Sequence, residues 1–264
     1  MRIVRFALAD QIAYGLVDGD PDDVTSLTVT AIDGHPFATF ERTSITLPLA
    51  QVRVLPPVLP SKVIGIGKNY ADHAREMGGE APATPVMFLK PSTAVIGDGD
   101  PIVLPPQSGQ VEYEGELGVV IGRLAREVPV DRAAEAILGY TCANDVTARD
   151  LQRSDGQWAR AKGFDSFAPL GPWIVTDVDV SDAAIQTRLD GEVVQSGRTS
   201  QMVHPVADLV AFVSSAMTLL PGDVILTGTP AGVGPMLGGQ RVSVSIEGVG
   251  TISNPVIGVE EETA

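Results

Sequence analysis

The first 55 residues alternate between apolar and polar positions, as in Arg2-Ile3-Val4-Arg5-Phe6 and Ile12-Ala13-Tyr14-Gly15-Leu16-Val17. A period of two puts every second side chain on one face, so the stretch predicts a meander of short, half-buried strands. Leu55-Pro56-Pro57-Val58-Leu59-Pro60 follows, and its prolines impose a stiff, extended backbone. The pattern therefore predicts a small β unit over residues 1–57 and a main unit over residues 61–258. Within the latter, Val63-Ile64-Gly65-Ile66, Leu117-Gly118-Val119-Val120-Ile121 and Val224-Ile225-Leu226 are short apolar runs, as expected of strands buried on both faces. Residues 242–257 alternate again about Glu247-Gly248, which predicts a hairpin. Residues 129–138 predict a helix with Asp131 as candidate N-cap and Gly139 just past its end. Pro205, ahead of Leu209, Phe212, Val213 and Ala216, marks the first turn of a second helix.

Glycine and proline, 28 and 20 in number, punctuate these runs, so the expected architecture is mostly β with few long helices. The acidic end Glu260-Glu261-Glu262 reads as a solvated tail. Of the 264 residues, 44% are hydrophobic and 19% charged, which excludes a disordered chain and permits a sizeable core. Eighteen basic residues against 33 acidic ones leave a net charge of -15. That field repels phosphate backbones and anionic membranes, so no nucleic-acid or membrane partner is expected. The lone Cys142 permits neither an internal disulfide nor a cysteine-built zinc site, and fits a reducing compartment such as the cytoplasm. Uncharged runs at 209–222 and 224–240 are broken by proline and glycine and fall short of the ~20 apolar residues of a membrane span. The first ten residues meet an acid before any apolar run of signal-peptide length.

Glu112-Tyr113-Glu114-Gly115-Glu116 leads directly into the buried run at 117–121. On a strand the three carboxylates share a face, and acids two apart can give two oxygens to one hard cation such as Mg2+. The competing reading is a solvated polar face. In Asn144-Asp145-Val146-Thr147-Ala148-Arg149-Asp150, Asp145 is either a third ligand or the cap of a helix running through Leu151. A helical turn after Asn69 brings His73 and Glu76, three residues apart, together as a base and its orienting carboxylate. The alternative is an exposed histidine beside a surface acid. Gly65-Ile66-Gly67-Lys68 lacks the spacing of either nucleotide fingerprint. Lys162, in Trp158-Ala159-Arg160-Ala161-Lys162-Gly163-Phe164-Asp165, is either an anion-binding ammonium or an amphipathic surface lysine. Gly222-Asp223 through Gly228-Thr229-Pro230 takes a strand into a turn that can hold a carboxylate or simply connect elements.

In this order the segments resemble the fumarylacetoacetate hydrolase family. The matching residues are Gly67-Lys68-Asn69-Tyr70 with Asp72-His73, Phe88-Leu89-Lys90-Pro91, Glu114-Gly115-Glu116-Leu117, Asn144 through Asp150 with Gln152, Lys162-Gly163-Phe164-Asp165, and Gly222-Asp223 through Pro230. The resemblance covers about residues 61 to 257. It implies a mixed β-sandwich roll preceded by the small N-terminal β unit, usually homodimeric, with Mg2+ or Mn2+ at its mouth. It further implies Glu114, Glu116 and Asp145 as metal ligands, His73 and Glu76 as a catalytic pair, and Lys162 as the active-site lysine. Arg149, Gln152 and Thr229 match positions near the substrate. Glu112 falls outside the Glu-x-Glu-Leu match and stays a flanking acid.

A cation on three carboxylates leaves positions open for the carboxylate and keto oxygens of a 2-oxo acid, and stabilises the enolate formed when the adjacent carbon–carbon bond breaks. The resemblance thus implies first a hydrolase of acylpyruvate or fumarylpyruvate type, with water activated by His73 and Glu76. The same electron sink serves oxaloacetate decarboxylation, or isomerisation of 2-hydroxyhepta-2,4-diene-1,7-dioate. A non-catalytic binder of 2-oxo acids or metal is an alternative of another class, against which the intact His73/Glu76 pair argues. Residues 77–85, with Gly78-Gly79, read either as a lid over the metal or as an ordinary surface loop.

Overall fold

The strand Gly115–Ile121 is buried along its whole length and organises the fold. In this computed structural model, which describes residues 1–21, 23 and 25–258, it is flanked by Ile137–Asn144 and Val224–Leu226, both antiparallel to it. Val63–Gly67 then pairs parallel to Val224–Leu226, and Val86–Lys90 forms the edge. On the other side Ile137–Asn144 pairs with Ala168–Val175, which takes Arg2–Leu8 as its neighbour through Arg2↔Val175 and Ile3↔Ile174. The N-terminal meander is therefore joined edge to edge with the main unit in one 12-stranded sheet. The fold is mostly β with mixed sheets, as expected. The acidic tail Glu260-Glu261-Glu262 lies outside the described residues.

Period two divides the central strand's side chains. Val120 points into a cluster with Ile3, Ile32, Val63, Leu170 and Ile174. These residues come from strands across the whole sheet, so the sheet rolls up around them. Val119 and Ile121 point the other way and meet Leu209, Val210 and Val213 of the helix Val206–Ala216. Leu117 packs with Ile185, Val244 and Ile252 of a second, five-stranded sheet. Burial of each such aliphatic side chain is worth about 1.5–3 kcal/mol. The second sheet contains the expected hairpin, Arg241–Ile246 and Gly250–Gly258, with Gly248 at φ 75° in its turn. Among the described residues no helix is long and apolar enough to cross a membrane.

The helix expected over 129–138 is a 3-10 helix only from Val130 to Ala136, and the strand Ile137–Asn144 follows at once. Pro129, not Asp131, occupies the N-cap position, and Gly139 lies within the strand opposite Val120. Ile137 and Tyr140 find ladder partners in Ile121 and Val119, which ends the helical turn. Gly139 is required for close packing, since a Cβ there would stand 2.3 Å from the Val175 carbonyl oxygen. Pro205 is the N-cap of the second helix, whose buried face is Leu209, Val210 and Val213; Ala216 is exposed.

A clasp sets the parallel register Val224↔Val63. The fully buried Asp223 accepts hydrogen bonds from Ser61 N–H (3.1 Å), Ser61 Oγ (2.6 Å), Lys62 N–H (3.2 Å) and Leu220 N–H (2.8 Å), and it pairs with the Lys62 ammonium. Asp223→Ala strands these donors, so a loss of about 3–5 kcal/mol is expected. Urea unfolding measures it, and an unchanged midpoint would deny the clasp its role.

Candidate active site

Three strands end and one begins at the same rim. Glu114 and Glu116 lie at the start of Gly115–Ile121, and Asp145 follows Ile137–Asn144, whose last residue pairs with Gly115. Gly228 and Thr229 follow Val224–Leu226, and Lys68 follows Val63–Gly67. The solvated-face reading of the acids does not hold: Glu112, Glu114 and Glu116 are 5%, 4% and 1% exposed. Nor does Asp145 cap a helix, because Arg149–Asp155 starts after Ala148. Glu114, Glu116 and Asp145 each present an oxygen within 4.8 Å of the others, a spacing that can hold a metal ion. Glu112 diverges and accepts from Arg149 Nε at 2.6 Å.

So many buried carboxylates need counter-charge. The Lys162 ammonium, itself 2% exposed, bridges Glu114 Oε2 (2.9 Å) and Asp145 Oδ2 (2.6 Å). Arg149 spans Glu112, Glu114 and Gln152. Lys90 donates to Asp145 Oδ1 and to the Val146 carbonyl (3.1 Å). Four acids, Glu112, Glu114, Glu116 and Asp145, thus face three cations, Lys90, Arg149 and Lys162. Glu116 is left over: its Oε2 accepts from the Gly228 N–H at 2.6 Å. Burial, together with the Asp145 and Glu114 charges, pushes its pKa well above the usual carboxylate range. Burial acts in the same direction on Glu114 but is outweighed by Lys162 and Arg149, so its pKa falls. Burial disfavours the charge of Lys162, yet Asp145 and Glu114 prevail and its pKa is raised. For Lys90 burial prevails over Asp145 and lowers it.

His73 and Glu76 lie on the short helix Ala71–Glu76, and His73 Nδ1 meets Glu76 Oε2 at 3.2 Å. His73 is 5% exposed, against the reading of a surface histidine. The Gly232 N–H donates to both Glu76 oxygens, at 3.1 and 3.2 Å, which fixes the carboxylate. Residues 77–85 leave this helix without regular structure, and the Pro82 carbonyl contacts His204 Nε2 at 3.0 Å. His73, Glu114, Glu116, Arg149, Gln152 and Lys162 line one cavity of about 180 Å³, which Thr229 also borders. The Thr229 hydroxyl donates to the Gly115 carbonyl (2.9 Å) and accepts from Gln195 Nε2 (2.8 Å). Gln195 in turn accepts from the Gly115 N–H (2.9 Å), so it holds the peptide between Glu114 and Glu116.

Lys90 and Gln195 were not among the expected site residues. Lys90 stood in the Phe-Leu-Lys-Pro match, and a lysine in an otherwise apolar strand was the available signal. Gln195 lies on a strand of the second sheet, and nothing in its local sequence indicated the rim.

The sequence pattern described as fumarylacetoacetate (FAA) hydrolase C-terminal matches residues 62–257. The chain belongs to this family. A second pattern, Rv2993c-like, N-terminal, matches residues 1–57, so the family member has two parts. It is 45% identical over 224 residues to a human protein named oxaloacetate tautomerase FAHD2A, mitochondrial, covering 80% of this chain and 71% of the relative. A Mycobacterium marinum crystal structure described as 2-hydroxyhepta-2,4-diene-1,7-dioate isomerase superposes with TM-score 0.93 at 50% identity, over 99% of this chain and 100% of the other. Fumarylpyruvate hydrolase from Pseudomonas aeruginosa, solved with Mn2+ and pyruvate, gives 0.72 at 35% identity, over 81% and 92%. The named relatives are thus enzymes of three related reaction types.

Proposed function

We propose that this family member is a divalent-metal-dependent enzyme acting on 2-oxo and 2,4-dioxo acids. Its proposed reaction is hydrolytic carbon–carbon cleavage of an acylpyruvate or fumarylpyruvate-type substrate. The observation that carries this reading is one cavity lined by the Glu114 and Glu116 carboxylates and by His73, whose Nδ1 is engaged by Glu76. Glu114, Glu116 and Asp145 would hold Mg2+ or Mn2+, and the carboxylate surplus on Glu116 suits a hard cation. Bound there, the ion supplies Lewis-acid polarisation of the keto oxygen. Lys162 balances substrate charge, while Arg149 and Gln152, bonded to each other, shape the cavity wall beside Thr229. With Nδ1 engaged by Glu76, the other ring nitrogen of His73 is free to take a proton from water attacking the distal carbonyl. The broken bond's electron pair passes to the pyruvate half, which leaves as its enolate and is then protonated.

A second reading is supported by the human and mycobacterial relatives. In it His73 moves a proton at the carbon next to the keto group, giving tautomerisation or isomerisation without water attack. Oxaloacetate decarboxylation uses the same enolate, and a non-catalytic 2-oxo-acid binder would keep the acids without turnover. Pyruvate release from acetylpyruvate, fumarylpyruvate and oxaloacetate, each with Mg2+ or Mn2+ and with chelator, separates them. Cleavage of the dioxo acids supports hydrolysis, and turnover confined to oxaloacetate replaces it with decarboxylation. His73→Ala is expected to lower turnover by about 10²–10⁴-fold while sparing metal affinity; undiminished turnover would deny it the role of base. A cytoplasmic homodimer is the proposed setting, and light scattering reads the assembly.

A further inference from the structure

The cavity holds two cations that the chemistry just proposed does not use. Lys68 and Arg153 line it together with the acids. Every other cation of the cavity wall is spent on carboxylates: Lys162 on Glu114 and Asp145, Arg149 on Glu112 and Glu114. Among the described residues Lys68 has no ion pair or hydrogen bond, and Arg153 donates only to the neutral Gln110 side chain. In a chain of net charge -15, two cations without a carboxylate partner thus line one cavity together. Gln110 also donates to Glu112 Oε1 at 2.6 Å, so Arg153 is oriented from the same polar chain that holds Arg149.

Exposure orders the cavity from floor to mouth. Glu114, Glu116 and Lys162 are 4%, 1% and 2% exposed, Lys68 is half-buried and Arg153 is exposed. Ile66, Met77 and Trp158 supply the apolar lining. Lys68 adopts a left-handed backbone, φ 57°, at the turn after Val63–Gly67, which is uncommon for a residue with a side chain. Its ammonium stands near Gly79, where a Cβ would approach Nζ to 3.7 Å. A charged floor, an apolar lining and a cationic mouth match a molecule with an anionic head, a carbon chain and a second anionic end.

Building on the 2-oxo-acid reading, we propose that the substrate is an extended dianion, a 2-oxo or 2,4-dioxo dicarboxylic acid, whose far carboxylate is held by Lys68 and Arg153. These two residues set specificity and take no part in bond breaking. Because the net charge of the chain repels dianions, the local pair supplies the attraction that the molecule as a whole does not. The proposal selects fumarylpyruvate-like or dienedioate-like acids over monoanionic acylpyruvates.

The test is steady-state kinetics of wild type, Lys68→Met, Arg153→Met and the double variant, with fumarylpyruvate as dianion and acetylpyruvate as monoanion. Oxalate inhibition reports the floor alone. Both side chains reach the surface and neither is in the core, so the variants are expected to fold. Wild type should prefer fumarylpyruvate, and each substitution should lower its kcat/KM by about tenfold, chiefly through KM. Acetylpyruvate turnover and oxalate inhibition should stay within about twofold of wild type. Equal losses on both acids, or none on the dianion, overturn the proposal. If wild type cleaves neither acid, the hydrolase reading fails, and calorimetry with Mg2+ decides this one separately. Fumarylpyruvate must then bind more tightly than acetylpyruvate, and only while Lys68 and Arg153 are present; equal binding refutes it.

Discussion

Glu116→Gln is expected to abolish metal binding and turnover together while leaving the metal-free protein at least as stable as wild type. Glutamine keeps the volume and an oxygen for the Gly228 N–H, which now bonds Glu116 Oε2. It removes a charge that is 1% exposed and has no cationic partner. Most buried ionisable groups destabilise a protein when replaced because a partner is stranded. Glu116 strands none, and its present surroundings already disfavour its charge. In wild type, metal at a hundredfold excess over Kd should stabilise the fold by about 2.7 kcal/mol; in Glu116→Gln that increment should vanish. Calorimetric titration with Mn2+ and Mg2+, and thermal unfolding with and without each ion, measure both halves. Retained affinity would remove Glu116 from the ligand set, and a large fall in metal-free stability would show that its charge is supported by contacts other than metal.

The strands Val63–Gly67, Gly115–Ile121 and Val224–Leu226 were legible because each is an unbroken apolar run, which only burial on both faces explains. The helix over 129–138 misled because alanines and an acid imitate a helical face, while the partner strand that claims Ile137 and Tyr140 is distant in sequence. Tertiary pairing overrides local propensity there. At the site, Glu114 and Glu116 could be paired from their spacing, and His73 with Glu76 from helical spacing, because those relations are local. The bridge from Lys162 to Asp145 spans 17 residues and that from Lys90 spans 55. No periodicity encodes such contacts, so the pairing of Lys90 with Asp145 emerged only from the fold. Exposure was equally illegible: an acid-rich run that composition would place on the surface is buried with two cations, Arg149 and Lys162, paired to it.

Lys90→Met is expected to do the reverse of Glu116→Gln, lowering metal-free stability by about 3–5 kcal/mol, the usual cost of breaking a buried pair from one side. Lys90 is 1% exposed, its ammonium lies on Asp145 Oδ1 and the Val146 carbonyl, and methionine fills the space without a donor. Asp145 keeps Lys162 at 2.6 Å, but that ammonium is already shared with Glu114. The carboxylate surplus therefore grows from one charge to two. A divalent ion on Glu114, Glu116 and Asp145 would neutralise that surplus, so metal affinity should rise, by on the order of tenfold or more given the strength of close charge pairs at an effective dielectric near 20. Stability should return in proportion when the ion is added. Urea unfolding in chelator and in Mn2+ separates the two effects: a deficit in chelator that shrinks markedly in Mn2+ is the expected result. A deficit of the same size in both conditions would mean that Lys90 supports the fold without sharing the charge balance of the three carboxylates. Loss of metal affinity would place its ammonium among the groups that organise the ligands.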